Sequence, residues 1–185
     1  MRRILMALAL ALLVAGPAWA NTPSPYAGMT DRPIRALSAE QQADLLAGRG
    51  MGLALAAELN GWPGPAHVIE LASAMQLTPA QLAATQRLMA EMQAAASTLG
   101  ARVIEEERAL DNAFRDRSVT PSDLSAHTAR IAALQGEIRD VHLRTHLAQA
   151  ALLNAEQIAA YSRLRGYAGG TPQHGGPMPG GHRHH

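Results

Sequence analysis

The sequence predicts an all-α protein built on an antiparallel hairpin of two long helices, with shorter helices packed along it, and three observations predict it. About one residue in five is alanine, all 16 basic side chains are arginine, only 3% of residues are aromatic and none is cysteine. That composition favours helix, leaves a β-sandwich without its aromatic strands, and excludes disulfide and zinc-thiolate scaffolds. The dipeptides Thr78-Pro79 and Thr120-Pro121 both read as helix starts, threonine capping and proline at the first helical position. Each is followed by apolar residues at alternating steps of three and four. With 48% hydrophobic residues and a net charge of +1, an intrinsically disordered chain is excluded as well.

The first 20 residues read as a secretory signal. Arg2 and Arg3 form a positive start, Ile4 to Gly16 an apolar run, and Ala18-Trp19-Ala20 a cleavage site with small residues where signal peptidase needs them. The run is too short to span a bilayer as helix, so cleavage is favoured over anchoring. Removing it leaves the arginines one short of the 15 acids, which offers neither nucleic acid nor a membrane surface a basic face. A secreted chain without cysteine fits the periplasm.

Residues 21–36, with several prolines, read as an extended leader ahead of a helical domain over 37–166. Ser38-Ala39-Glu40-Gln41 is a capping box opening a short helix, which Gly48, Gly50 and Gly52 interrupt. A second short helix is expected over Met51 to Leu59, and a third from about Ala66 to Gln76. Thr78-Pro79-Ala80-Gln81 then opens the first long helix. Its seam runs Leu82, Thr85, Met89, Met92, Ala96, Leu99, Val103, Glu106, Leu110, and it should end near Asp116. The return helix follows Thr120, with Leu124, Ile131, Leu134, Ile138, Val141, Ala148 and Leu152 as its seam. Asn154-Ala155-Glu156-Gln157 starts a last helix ending near Gly166. Residues 167–185 form a tail rich in glycine, proline and histidine.

This pattern resembles the Spy/CpxP family of periplasmic proteins, which carry an L-T-x-x-Q motif twice. Leu77-Thr78-Pro79-Ala80-Gln81 is a full copy. Leu153-Asn154-Ala155-Glu156-Gln157 is a variant in which asparagine, as good a cap, replaces threonine. The resemblance spans about Ala66 to Tyr167. It implies a helical hairpin that dimerises and one of two activities. Relatives of Spy and CpxP are ATP-independent chaperones or envelope-stress regulators; relatives of CnrX and ZraP bind heavy metals.

The histidines favour the metal branch. His142 and His146 stand at i and i+4 on one helical face, a spacing that lets both hold one ion. The glutamate of a zinc-protease H-E-x-x-H is missing, and no nucleophile or phosphate-loop motif occurs, so catalysis is not indicated. Folding the hairpin about residue 118 sets His146 opposite residue 90 and His142 opposite residue 94, near Glu91, Met89 and Met92. The preceding helix, folded back at Leu77, brings His67 to the same level. The expected bundle ligands are His67, Glu91, His142 and His146, with His174, His182, His184 and His185 of the tail as a weaker set. Such donors suit a divalent transition metal (zinc, nickel, cobalt or copper) rather than calcium. The site is similar to that of CnrX-like sensors, but with one histidine rather than two on the first helix and His-x-x-x-His rather than His-x-x-x-Met on the return helix. His127, without a partner at helical spacing, reads as structural or surface. The expected partners are a second copy of the chain, a membrane sensor or sigma-regulatory protein and, on the chaperone reading, unfolded clients, but not nucleic acid.

Overall fold

The computed structural model describes residues 24–167; the segment expected to be a signal peptide and the histidines of residues 168–185 lie outside the described residues. Two units are present, residues 24–31 and the remainder from Arg32. The first holds one 3-10 turn, Ala27–Met29. The second contains α1 (Ala39–Leu46), α2 (Leu55–Glu58), α3 (Pro65–Glu70), α4 (Pro79–Arg115), α5 (Pro121–Leu152) and α6 (Ala155–Leu164), with no strand among the described residues.

α4 and α5 form the antiparallel hairpin, and α1 and α3 lie along α4. The 37 residues of α4 give a rod of about 55 Å. Both long helices start as expected. Thr78 accepts from the Gln81 N–H and Thr120 from the Asp123 N–H, and each is followed by proline at the first helical position. Every seam position named for α4, Thr85 and Glu106 included, is buried or half-buried. The α5 seam holds through Ile131, Leu134, Ile138 and Val141 and then changes. Ala148 is exposed, while His142, Thr145, His146 and Gln149 are buried.

The described residues thus form two apolar clusters with a polar stretch of α5 between them. One joins Ile34, Leu45, Ala96, Val103, Ile104, Leu134 and Ile138. The other joins Val68, Met75 and Tyr161, flanked by Leu71, Leu77, Leu153 and Tyr167. In the intervening stretch the Gln149 side chain donates to Thr85 Oγ1 at 3.1 Å, so the threonine that interrupts the α4 seam is a partner for a buried amide.

The flanking segments are less helical than their composition suggests. The expected helix over Met51 to Leu59 is reduced to Leu55–Glu58, and the expected helix over Ala66 to Gln76 stops at Glu70. Turns replace the rest: Met51 has φ +44°, Gly52 φ +79° and Gln76 φ +53°. The end of the leader does not extend. Ile34 is fully buried in the first cluster, the Arg35 N–H donates to Asp111, and Arg115 donates to the Pro33 carbonyl.

The two L-T/N-x-x-Q segments meet. Gln81 Nε2 donates to Gln157 Oε1 at 2.9 Å, and Gln157 Nε2 donates back to Gln81 Oε1 at 3.0 Å. Each Oε1 also accepts its own N-cap N–H, from Thr78 or Asn154, at 3.0 Å. Gln81 Nε2 donates further to the Leu152 carbonyl, tying the start of α4 to the end of α5. One glutamine therefore completes its own capping box and fastens to the other. Gln157→Ala should cost about 1–2 kcal/mol in denaturant unfolding. Adding Gln81→Ala should cost clearly less than a second independent loss, because the pair is already broken; strict additivity would contradict the coupling.

Candidate functional site

The polar stretch of α5 opens onto a cavity of about 340 Å³ walled by the 48–55 segment, Glu58, residues 64–67, and Met89, Met92, Gln93, His142 and His146. Of the four bundle residues expected to ligate metal, the structure brings His67, His142 and His146 to this cavity and leaves Glu91 out. Glu91 is exposed and borders a separate depression with Arg87, Leu88 and Ala148. The cause is helical phase: Glu91 lies off the α4 seam that Met89 and Met92 belong to. Thr85 meets Gln149 and Glu106 meets His127, two to three residues from the pairing expected of a fold about residue 118. That offset changes which residues pair across the hairpin but not which α4 face is inward, and Met89 and Met92 stay on the inner seam with Glu91 outside it.

The two α5 imidazoles are held alike. His142 is 3% exposed and His146 7%. His142 Nδ1 lies 2.9 Å from the Ile138 carbonyl oxygen, and His146 Nδ1 lies 2.7 Å from that of Trp62. A carbonyl only accepts, so both Nδ1 atoms carry the proton, and in the neutral rings both Nε2 atoms present lone pairs. His142 Nε2 is buried without a hydrogen-bond partner. Gly64 is the reason His146 fits: a Cβ at this position would stand 2.8 Å from its Cε1 and 3.0 Å from its Nε2.

His67 differs from this pair. Its side chain is over a third exposed, its Nδ1 pairs with Glu70 at 3.0 Å, and its Nε2 accepts from Arg165 at 3.2 Å. Both ring nitrogens are engaged. His127, expected to be structural, pairs with Glu106 at 2.9 Å across the hairpin, and Arg130 joins the same carboxylate oxygen. The His127 hydrogen bond, with help from Arg130, holds the Glu106 carboxyl below its ordinary range.

The carboxylate at the cavity is Glu58, which the sequence did not signal. It is 7% exposed, and its Oε1 takes Tyr161 Oη at 2.6 Å and Tyr167 Oη at 3.0 Å, with Arg165 Nε at 3.5 Å. Its Oε2 lies 4.0 Å from His146 Nδ1. Burial and the Glu58 charge push the Tyr161 phenol well above its usual range. Glu58 at the cavity wall is thus backed by Tyr161 of α6 and by Arg165 and Tyr167 beyond it.

The donors chemically available in the cavity are two imidazoles with free Nε2 atoms, two methionine thioethers and a carboxylate already shared among three donors. Imidazole with thioether is a set for transition metals. The carbonyl-anchored Nδ1–H is the usual way a ligating imidazole is oriented. As folded, however, no three histidine, aspartate or glutamate side chains among the described residues stand close enough to hold one ion. No family model, curated protein or solved structure matches this chain.

Proposed function

We propose that this protein binds a divalent transition-metal ion between its helices, as a periplasmic metal sensor or buffer of the Spy/CpxP type. The observation that carries this reading is the paired anchoring of His142 and His146, two buried rings whose Nδ1 atoms are taken by carbonyl oxygens, which leaves Nε2 as the ligating atom of each beside one cavity. An apolar pair, or rings fully satisfied by neighbours, would serve packing better. A buried acceptor with no partner costs about 1–3 kcal/mol unless something occupies it. Met89 and Met92 supply soft donors from α4, and Glu58 is the nearest carboxylate. Binding would cross-link α4, α5 and the loops around α2, favour one packing of the bundle, and so be reported to a membrane partner or used for storage. The twin L-T/N-x-x-Q segments and the hairpin support the family reading, which also implies a homodimer.

Thermal unfolding with zinc, nickel, cobalt and copper tests it. At a metal concentration a hundredfold above Kd, stabilisation of about 2.7 kcal/mol is expected, and it should disappear in the His142→Ala/His146→Ala variant. Unchanged stabilisation in that variant would sink the bundle site.

A second reading, an ATP-independent chaperone for unfolded clients, is favoured by one observation: Leu46, Met51, Leu55, Leu59 and Trp62 are all exposed within 17 residues. Exposed apolar side chains at that density are a contact surface for other proteins. This reading expects metal-free protein to suppress aggregation of a denatured client, and Leu55→Ser/Leu59→Ser to weaken the suppression several-fold.

A further inference from the structure

Resting on the metal-binding reading above, we infer that the cavity between α4 and α5 takes a soft monovalent ion, copper(I), held by Nε2 of His142 and His146 and by the thioether sulfurs of Met89 and Met92. His142 and His146 stand one turn apart on α5, and Met89 and Met92 stand at i and i+3 on the inner seam of α4. The contacts Thr85–Gln149 and Glu106–His127 fix how the hairpin pairs. That pairing sets Met92 level with His142 and Met89 close to the level of His146. All four side chains line the one cavity.

Charge points the same way. No three histidine, aspartate or glutamate side chains among the described residues can share one ion, and the charged groups at the cavity are already committed. Glu58 Oε1 accepts from Tyr161 and Tyr167 and faces Arg165. The imidazole nitrogen nearest Glu58 Oε2 is His146 Nδ1, at 4.0 Å, which is engaged by the Trp62 carbonyl. Arg49 pairs with Asp44 at 3.0 Å, and His67 with Glu70 and Arg165. Completing the imidazole pair therefore falls to the sulfurs, and the resulting set of donors is neutral. The Born cost of taking an ion out of water rises with the square of its charge, so a set without an anion favours a monovalent ion over a divalent one. Thioether sulfur selects copper(I) and imidazole suits copper as well, whereas zinc takes nitrogen, oxygen and thiolate.

The surrounding loops leave the nitrogens clear. A Cβ at Gly50 would stand 3.7 Å from His142 Nε2, and one at Gly64 would stand 3.0 Å from His146 Nε2. Glycine at both positions keeps open the space beside the two ligating atoms, and His142 Nε2 is buried there without a hydrogen-bond partner. Leucine would fill the α4 seam at 89 and 92 about as well as methionine does, so packing alone does not call for sulfur.

The test is an anaerobic titration of the full chain with copper(I) buffered by a chromophoric chelator, beside a titration with zinc. Both ions are diamagnetic, so histidine ring 15N and methionine methyl 13C shifts identify the side chains engaged. At one equivalent, His142, His146, Met89 and Met92 should move together with copper(I), and only the two imidazoles with zinc. Met89→Leu/Met92→Leu, which conserves volume, is expected to weaken copper(I) binding about 100-fold, roughly tenfold for each thioether lost, and to leave zinc binding unchanged. Unmoved methionine methyls, equal copper(I) affinity in that variant, or copper(I) held no more tightly than zinc would overturn the sulfur-ligated site and leave the imidazole pair to a divalent ion. Parental affinity for both ions in His142→Ala/His146→Ala would overturn this inference and the metal-binding reading together.

Discussion

Gly100→Ala is expected to destabilise the protein by about 2–4 kcal/mol, although alanine is the better helix former by about 1 kcal/mol. The reason is contact between backbones. Gly100 is buried in the middle of α4, and a Cβ there would lie 2.3 Å from the Leu45 carbonyl oxygen and 2.7 Å from its carbon. Neither atom can swing aside as a side-chain end would. α1 would have to lift from α4, opening the cluster in which Ile34, Leu45, Ala96, Val103 and Ile104 pack. Urea unfolding should show a lower midpoint with nearly unchanged helical circular dichroism. Gly136→Ala is the control: Gly136 is exposed on α5 with nothing within 4 Å of an added methyl, so propensity alone acts and up to about 1 kcal/mol is gained. Equal effects at the two positions would refute the close approach.

Glu58→Ala should be at least as damaging, costing about 3–5 kcal/mol. Its Oε1 is the acceptor for Tyr161, which is fully buried, and for Tyr167, and its charge balances Arg165. Removal leaves a buried hydroxyl and a cation without their partner, whereas Glu58→Gln keeps an acceptor and should cost clearly less. The alkaline limb of the stability curve reports the same cluster. The folded protein holds the Tyr161 proton more tightly than the unfolded chain does. Its contribution is therefore complete below the ordinary phenol range near 10 and is lost as the pH rises above it. Tyr161→Phe should flatten that limb, and an unaltered slope would show that Tyr161 is not the group responsible.

The long elements are legible in the sequence because their signals are local. Thr78-Pro79 and Thr120-Pro121 cap the two long helices, and the seam from Leu82 to Leu110 faces inward throughout. The all-α hairpin follows from these signals. The features that the sequence hides depend on distance between chain segments. The α5 seam passes from apolar to polar beyond Val141, and nothing in a hydrophobic period marks Thr145 and Gln149 as buried. Level along the hairpin alone sets Glu91 beside the histidines, whereas its phase on α4, one residue off the Met89–Met92 seam, puts it outside. Glu58 sits on a four-residue helix between glycine-rich turns, too short for any periodicity, and its partners lie about a hundred residues away. The spacing of His142 and His146 is readable; their anchoring through Nδ1, on which the functional proposal turns, requires the Ile138 and Trp62 carbonyls to be placed.

The most direct measurement is X-ray absorption at the metal edge for cobalt(II) bound at one equivalent, in a chain whose four tail histidines are replaced by alanine so that ring scattering comes only from the bundle. The account predicts the outer-shell signature of two imidazoles, lost in the His142→Ala/His146→Ala background. An all-oxygen shell without imidazole scattering, or the same spectrum in both backgrounds, would contradict it.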